Sequence, residues 1–496
     1  MTKKTRWARL AWRTTLAVLV PAASVLAREE YTRHFDKSVS VRSGGRVIVE
    51  NKFGDIVIRT RPGSEAAIHA DIRVSASNTS EAQRYAGKVE ILVEESPDLS
   101  IRTRYPETER HLFGMNNVSF SVRYELTLPE NSPLDVHNAF GAVSATGVQA
   151  SSEITTSHGE LHFRNGRGTQ RLQNSFARVE VVKNNGPVAV ETSNGAVDAS
   201  DITGSLTIRD RFASLTVARV SNGVTLTNSN GAVSVTDSGG VGDIRNSFGA
   251  VTVLGFRGDL TVNNSNGKVE AENVQGSASL RTTFGDVRFL NIGRQLIVKA
   301  NNAGVRGSKV GGAATITNSF GVTEISDAQR EVHIESGNGS VTIERVGAAA
   351  AVRTSFGTVQ ATEVNGVLTV DNSNGAVKAV NTKGAQITTS FGPVILEGVS
   401  GPISVQNQNG TVEASSSLRG GCQPILMRTS FSPLRVRLQG DTDYRVSART
   451  SFGKIRSEFP ISVSGSMSSD ELSGVLGSGR CELRLTDNNG SIEILK

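Results

Sequence analysis

One short turn recurs along this chain at a nearly fixed interval, and that interval leaves room for few folds. Asn246-Ser247-Phe248-Gly249-Ala250-Val251 is one copy and Asn264-Ser265-Asn266-Gly267-Lys268-Val269 is the next. With the glycine as position zero, it stands at 141, 159, 195, 231, 249, 267, 285, 321, 339, 357, 375, 392 and 410. Ala177, Ala213 and Ser432 take its place in other copies, and almost every step is 18 residues. The preceding residue mostly alternates: Phe140, His158, Phe176, Asn194, Phe212, Asn230, Phe248, Asn266, Phe284. A period held over so long a stretch outranks any local motif, because each copy is a unit that is stable only when stacked on its neighbours.

Between turns the pattern is that of strands. Position +2 is apolar in Val143, Leu161, Val179, Val197 and Leu215, and +4 in Phe163, Val181, Val217 and Val235. A second alternating pair falls near +11 and +13, as in Val224/Leu226, Leu260/Val262 and Leu368/Val370. Each unit therefore holds two short strands that point alternate residues inward. The expected fold is all-β: a parallel β-solenoid of about 18-residue coils with a β-rich N-terminal cap. An 18-residue coil puts Phe and Asn alternately in one column, whereas a 36-residue coil stacks like on like. The interior favours 18, since a larger coil encloses more space than Val and Leu fill. The turn markers from Gly141 to Gly490, at roughly 4.8 Å per coil, make a rod about 90 Å long. Position −3 is mostly Asn or Thr (Asn174, Asn228, Asn246, Asn264, Asn318, Thr354, Asn372, Thr389), a column suited to bridging coils and satisfying turn backbone groups. The Phe/Asn position is expected to fill or line one corner.

The flanks organise the rest. Residues 1–27 read as a secretory signal: Lys3, Lys4, Arg6, Arg9 and Arg13, then a short apolar run from 14 to 20, Pro21, and a cleavage site at Val25-Leu26-Ala27. The run is too short to span a bilayer, which takes roughly 20 apolar residues. Residues 28–130 are expected to form a β-rich cap containing one helix at 80–87 with Ser80 as N-cap, and Asn51-Lys52-Phe53-Gly54 is an early copy of the turn. Residues 131–456 are the array, and 457–496 an irregular C-terminal coil and cap in which 464–479 loop over the last coil. The formal charge is +6. The five basic residues of the leader supply most of it, so basicity points to no nucleic acid. Cys422 and Cys481 sit at similar phase with a coil marked by Gly453 between them. In-register stacking holds such Cα atoms roughly 9–10 Å apart, beyond disulfide reach, so a bond requires irregular coils.

No phosphate-binding loop, dinucleotide fingerprint or nucleophile elbow is present in the sequence, and no cofactor is expected. One outward column holds candidate chemistry. At +3, three successive units carry His162, Glu180 and Asp198, side by side at roughly 5 Å per step in an 18-residue coil. Such a cluster could bind a metal or act on a sugar. The column runs on through Glu270, Arg288, Arg306 and Glu324, which is the pattern of a solvated charged face.

The strand-rich start, the G-x-V/I-x-V strands headed by S-F-G or S-N-G turns, and the closing Asn489-Gly490-Ser491-Ile492-Glu493-Ile494 resemble the bacterial exported "putative adhesin" family of unknown function. The resemblance covers roughly residues 35–496 and brings no catalytic residues with it. The signal, the array and the missing catalytic constellation point to a non-enzymatic exported adhesin or envelope scaffold, periplasmic, cell-surface or secreted, whose partner is an envelope component, surface protein or glycan. A polysaccharide-active β-helix enzyme and a self-assembling rod are the alternatives.

Overall fold

The computed structural model describes residues 28–107, 118–417, 421–463 and 468–496. The leader at 1–27 lies outside them, as do residues 464–467 of the Ser/Gly-rich stretch.

The chain is a parallel β-solenoid with 18-residue coils. Strand Val251–Arg257 pairs in parallel with Val269–Val274, Val251 opposite Val269, and Leu260–Asn266 pairs with Ala278–Phe284, Leu260 opposite Ala278. In one coil Val251, Val253, Leu260 and Val262 point inward and are at most 1% exposed. Repetition of these positions makes one continuous apolar core, burying what no single coil could bury alone.

A third inward column, at +7, was not legible in the strand pattern. It holds Ile202, Val220, Phe256, Val274, Ile292, Val310, Val346 and Val364, all buried. Strict alternation would point +6 inward, but +6 takes the left-handed conformation in coil after coil: Lys183 (φ 59°), Asp201 (61°), Arg219 (54°), Asn273 (56°), Lys309 (60°), Arg345 (52°), Glu363 (57°). That bend shifts the parity by one residue and turns +7 into the core. Each such L-residue costs about 1–2 kcal/mol. The side chains soften the cost by pairing between coils, as in Arg219 with Asp201 (2.7 Å) and Arg345 with Asp327 (2.6 Å).

The Asn/Thr column lies inside the turn and ties coil to coil. Asn264 Nδ2 donates to its own turn at Gly267 O (3.1 Å) and to the preceding coil at Gly249 O (2.9 Å). Asn174, Asn372 and Asn407 repeat the pair of bonds. Asp210 breaks the ladder. It is buried, accepts from the Ala213 N–H at 2.8 Å, and as a carboxylate has no N–H for the preceding coil. Burial pushes its carboxyl pKa up. A raised folded pKa means that its contribution to stability is complete below the ordinary aspartate range and is lost as pH rises through the folded value. Asp210→Asn is therefore expected to stabilise the protein at neutral pH by about 1 kcal/mol or more, restoring the ladder bond. The gain should shrink toward zero in acid, which denaturant melts at the two pH values would measure.

At the N-terminal end the array begins earlier than its unbroken period. Strands Val47–Phe53 and Ile56–Arg61 form a coil that stacks in register on Leu134–Phe140 and Val143–Thr146. The intervening chain is an excursion. Leu99–Arg104 and Ser119–Pro129 cover the other face of that first coil in parallel. Glu29–Ser40, Glu65–Ala76 and Ser119–Pro129 then continue as an antiparallel sheet. Helix Thr79–Lys88 packs on it through Ala82 and Ala86. Its N-cap is Asn78 rather than Ser80: Asn78 Oδ1 accepts from the Glu81 N–H at 2.9 Å, the bond that three-residue spacing permits.

At the C-terminal end the coils stack out of chain order. Cys481–Asp487 lies between Ile425–Arg428 and Tyr444–Thr450, parallel to both, and Ile492–Leu495 lies between Leu434–Arg437 and Ile455–Ser457. The last coil in sequence is thus the second-last in space. This brings Cys422 beside Cys481, Cα to Cα 5.9 Å, and the two form a disulfide. The separation expected from sequential stacking does not arise, because the coil marked by Gly453 sits on the far side. Within the expected loop, Glu471–Leu476 is instead a strand, antiparallel to Tyr444–Thr450, that covers the final coil.

Candidate functional site: an exposed Phe/Asn ladder

The turn that defines the period also builds the most unusual surface. Asn246 is buried, and its Nδ2 donates to Phe248 O (3.1 Å), Gly249 O (3.3 Å) and Gly231 O (3.2 Å). The chain folds around that amide, so Phe248 turns outward instead of continuing the inward parity of Ile244 and Asn246. The phenyl is 53% exposed. Of the two expectations, that this position fills or lines one corner, the first is corrected: the phenylalanines stand on the outside.

Phe140, Phe176, Phe212, Phe248, Phe284, Phe320, Phe356, Phe391, Phe431 and Phe452 are all exposed, between 43% and 81%. Register places an Asn between neighbours: Asn230 opposite Phe248, Phe248 opposite Asn266, Asn266 opposite Phe284, and so on through Asn302, Asn338, Asn374 and Asn409. The alternation survives the rearranged C-terminus. In sequence Phe431 and Phe452 are consecutive turn residues. In space Asn489 comes between them, its N–H donating to Ser430 O (2.9 Å) while Phe452 N–H donates to Asn488 O (2.9 Å). Phe therefore recurs every second coil, roughly 9–10 Å. Serines at 229, 247, 265, 319, 355 and 373 flank the column and leave the stripe nearly uncharged.

Near the cap the column shows how these rings are held. Phe53 and Phe140 stack at 5.5 Å, and His158 in an Asn place lies between Phe140 (4.6 Å) and Phe176 (4.7 Å) with planes 19° and 24° apart. The rings there lie across the rod axis like rungs, and the space between two phenylalanines accepts a third ring in stacking contact.

The cluster foreseen at +3 occupies three adjoining strands, His162 opposite Glu180 and Glu180 opposite Asp198. His162 Nδ1 lies 2.8 Å from Glu180 Oε2 and Nε2 lies 3.0 Å from Glu160. Arg164 also binds Glu180 (2.5 Å), and Asp198 turns to Arg178 (2.7 Å). Arg164 foremost, with His162, holds the Glu180 carboxyl below its ordinary pKa, so it stays ionised. The group is a chain of ion pairs along a partly exposed face.

A surface depression of about 670 Å³ follows the left-handed corner over Lys309, Asp327, Arg345 and Glu363, and Arg345 pairs there with Asp327. Among the described residues one set of metal-type donors converges, His34, His69 and Asp71 on the cap sheet. No helix among them is long and apolar enough to cross a membrane.

No protein-family model matches the chain, and no curated protein matches it at a significant level. Among solved structures, a putative cell adhesion protein from Clostridium sporogenes ATCC 15579, determined at 1.95 Å, aligns over 94% of this chain and 99% of that chain. The identity is 9% and the TM-score 0.15, values at which the likeness carries no argument.

Proposed function

We propose that this chain is a non-enzymatic, exported adhesion rod that pairs side by side with a second copy of itself through the Phe/Asn ladder. The observation that carries this reading is the alternation of exposed phenyl and small amide along one edge. Two such edges laid together place each phenyl over the partner's Asn, in the kind of space that His158 fills between Phe140 and Phe176. Both rods share one coil spacing, so the register holds along the whole edge. The ten phenylalanines expose about 1,000 Å² per chain, taking roughly 200 Å² for a fully exposed ring. A standard stable interface buries about 800 Å² per partner. An exposed apolar stripe of this size on a soluble protein marks an interaction surface. The ion-paired state of Glu180 and Asp198 leaves that column without a free acid–base pair, which supports the non-enzymatic reading.

Sedimentation of the purified chain should show concentration-dependent dimers. The triple variant Phe248→Asn, Phe284→Asn, Phe320→Asn should shift the midpoint at least tenfold toward monomer without altering the melt, because Asn already occupies the same turn in neighbouring coils. A strictly monomeric wild type, or a variant that dimerises equally well, overturns the pairing. Reproducible cleavage of a glycan by the wild type would overturn the non-enzymatic reading.

A further inference from the structure

The cap sheet carries a short pattern twice, His34-Phe35-Asp36 on strand Glu29–Ser40 and His69-Ala70-Asp71 on strand Glu65–Ala76. The strands are antiparallel neighbours in a register that sets His34 opposite Asp71 and Asp36 opposite His69. Side chains two apart on a strand share a face. Two histidines and two aspartates therefore meet on the outer face, in a crossed arrangement with the imidazoles stacked at 6.1 Å.

The contacts within this group are directional. His69 Nδ1 lies 2.6 Å from Asp36 Oδ1, which leaves Nε2 as the ring nitrogen turned to another partner. That Nε2 faces Asp71 Oδ1 at 3.3 Å. The same oxygen lies 2.6 Å from His34 Nδ1. Two imidazole nitrogens thus converge on one carboxylate, with the three donor atoms within 4.8 Å of one another. A divalent cation seated among them would take one donor atom from each. The third strand, Ser119–Pro129, sets Glu125 opposite His69 and Arg123 opposite Asp71, and Arg123 is held by Glu125 at 3.2 Å. Asp36, His69 and Glu125 share that surface with Lys37 and with Arg59 of strand Ile56–Arg61.

We propose that His34 Nδ1, His69 Nε2 and Asp71 bind one late first-row divalent cation of the zinc type, with Asp36 orienting His69 from behind. Two imidazoles and a carboxylate suit zinc, copper and nickel better than calcium or magnesium, which take oxygen ligands. Bond lengths of about 2.0–2.2 Å need donors roughly 3–3.5 Å apart, which small rotations of these exposed side chains supply. A carboxylate on the non-ligating nitrogen fixes the ring and its tautomer, the role assigned to Asp36. Three protein ligands on one side leave the outward positions to water. The bound ion joins strand Glu29–Ser40 to strand Glu65–Ala76 across the cap. This inference is independent of the reading given to the Phe/Asn ladder.

The test is titration of the untagged chain, stripped with chelator, with zinc in a calorimeter and with cobalt(II) followed by its visible spectrum. One ion per chain is expected, with a cobalt spectrum typical of nitrogen and oxygen ligands. His34→Ala together with His69→Ala, or Asp71→Asn alone, should abolish saturable binding. Asp36→Asn should weaken it about 10–100-fold, and His162→Ala should leave it unchanged. These side chains are at the surface, so circular dichroism and the melt in chelator should not move in any variant. Absence of one-to-one binding in the wild type, or its survival in the double histidine variant, overturns the site.

Discussion

A chain ended after Gly479 is expected to lose far more than its last coil. In a solenoid stacked in chain order such a truncation would trim one end. Here Cys481–Asp487 is the parallel partner of both Ile425–Arg428 and Tyr444–Thr450, and Ile492–Leu495 joins Leu434–Arg437 to Ile455–Ser457. Without this coil the Tyr444 coil keeps only the antiparallel Glu471–Leu476 strand, extended by the two-residue Ser462–Val463 pairing, and so small a remnant is at best marginal in water. Tyr444, Val446 and Ala448, each 1% exposed in the intact protein, would lose their cover. The Cys422–Cys481 bond is lost as well. It closes a sequence separation of 59 residues, for which loop entropy predicts about 4 kcal/mol of stabilisation. Trypsin should cut the truncated chain at Arg445, Arg449, Lys454 and Arg456 and leave a protected fragment ending near Arg437, while the intact chain resists in that region. Equal protection of the two chains would contradict the inserted coil. Reduction of the disulfide alone should give an intermediate result, with faster cutting in the same segment and no change in the coils before it.

The parts of this architecture visible in the sequence are those that repeat. The zero-position glycine, the apolar +2 and +4 residues and the −3 amide recur at one interval because each meets its own copy one coil away. Coil length, parallel pairing and the Asn ladder follow from that recurrence. Three features escaped for physical reasons. The left-handed +6 corner mixes Asn and Asp, which favour this conformation (Asp201, Asn273, Asp327), with Lys183, Arg219 and Glu363, which rarely adopt it, so no single residue type marks the turn. With it the +7 core column escaped too. The order of the last coils escaped because a period specifies what a coil is, not which coil lies next to it once the spacing breaks. A trace was nonetheless present: from Phe140 onward the turns alternate until Phe431 and Phe452 follow one another, and Asn489 is the residue that restores the alternation. The outward direction of Phe248 depends on the Asn246 amide bending the turn, which strand parity cannot reveal. For the +3 cluster, adjacency of His162, Glu180 and Asp198 was readable from the interval. The partners that occupy them, Arg164 and Arg178, come from neighbouring positions on the same face. The cap cluster was hidden differently, since the two His-x-Asp patterns lie far apart in sequence and only the antiparallel register unites them.

Gly267→Val is expected to be severely damaging to the array, and the reason returns to the turn. Gly267 has φ +138°, in the region that favours glycine, and a Cβ there would lie 2.2 Å from Gly249 O of the preceding coil. The obstructing atom is backbone, and Gly249 O also receives the Asn264 Nδ2 bond at 2.9 Å. Relieving the overlap means separating the coils at the site where the amide ladder joins them. Ala177 and Ala213 stand in the same column without left-handed φ. Alanine is therefore tolerated where the turn takes the other backbone form, and a branched side chain at Gly267 has no such escape. The cost should be about 3–4 kcal/mol, the range of severe core and backbone disruptions. In a stack where each coil contacts only its neighbours, the loss is local and uncouples the two sides. Denaturant unfolding followed by circular dichroism should therefore broaden or split into two transitions. Hydrogen exchange should accelerate first in strands Leu260–Asn266 and Val269–Val274, with the coils near the cap still protected. Gly267→Ala should give a smaller shift in the same direction. A variant melting as sharply and as late as the wild type would show that coil contact at the turn is looser than 2.2 Å allows.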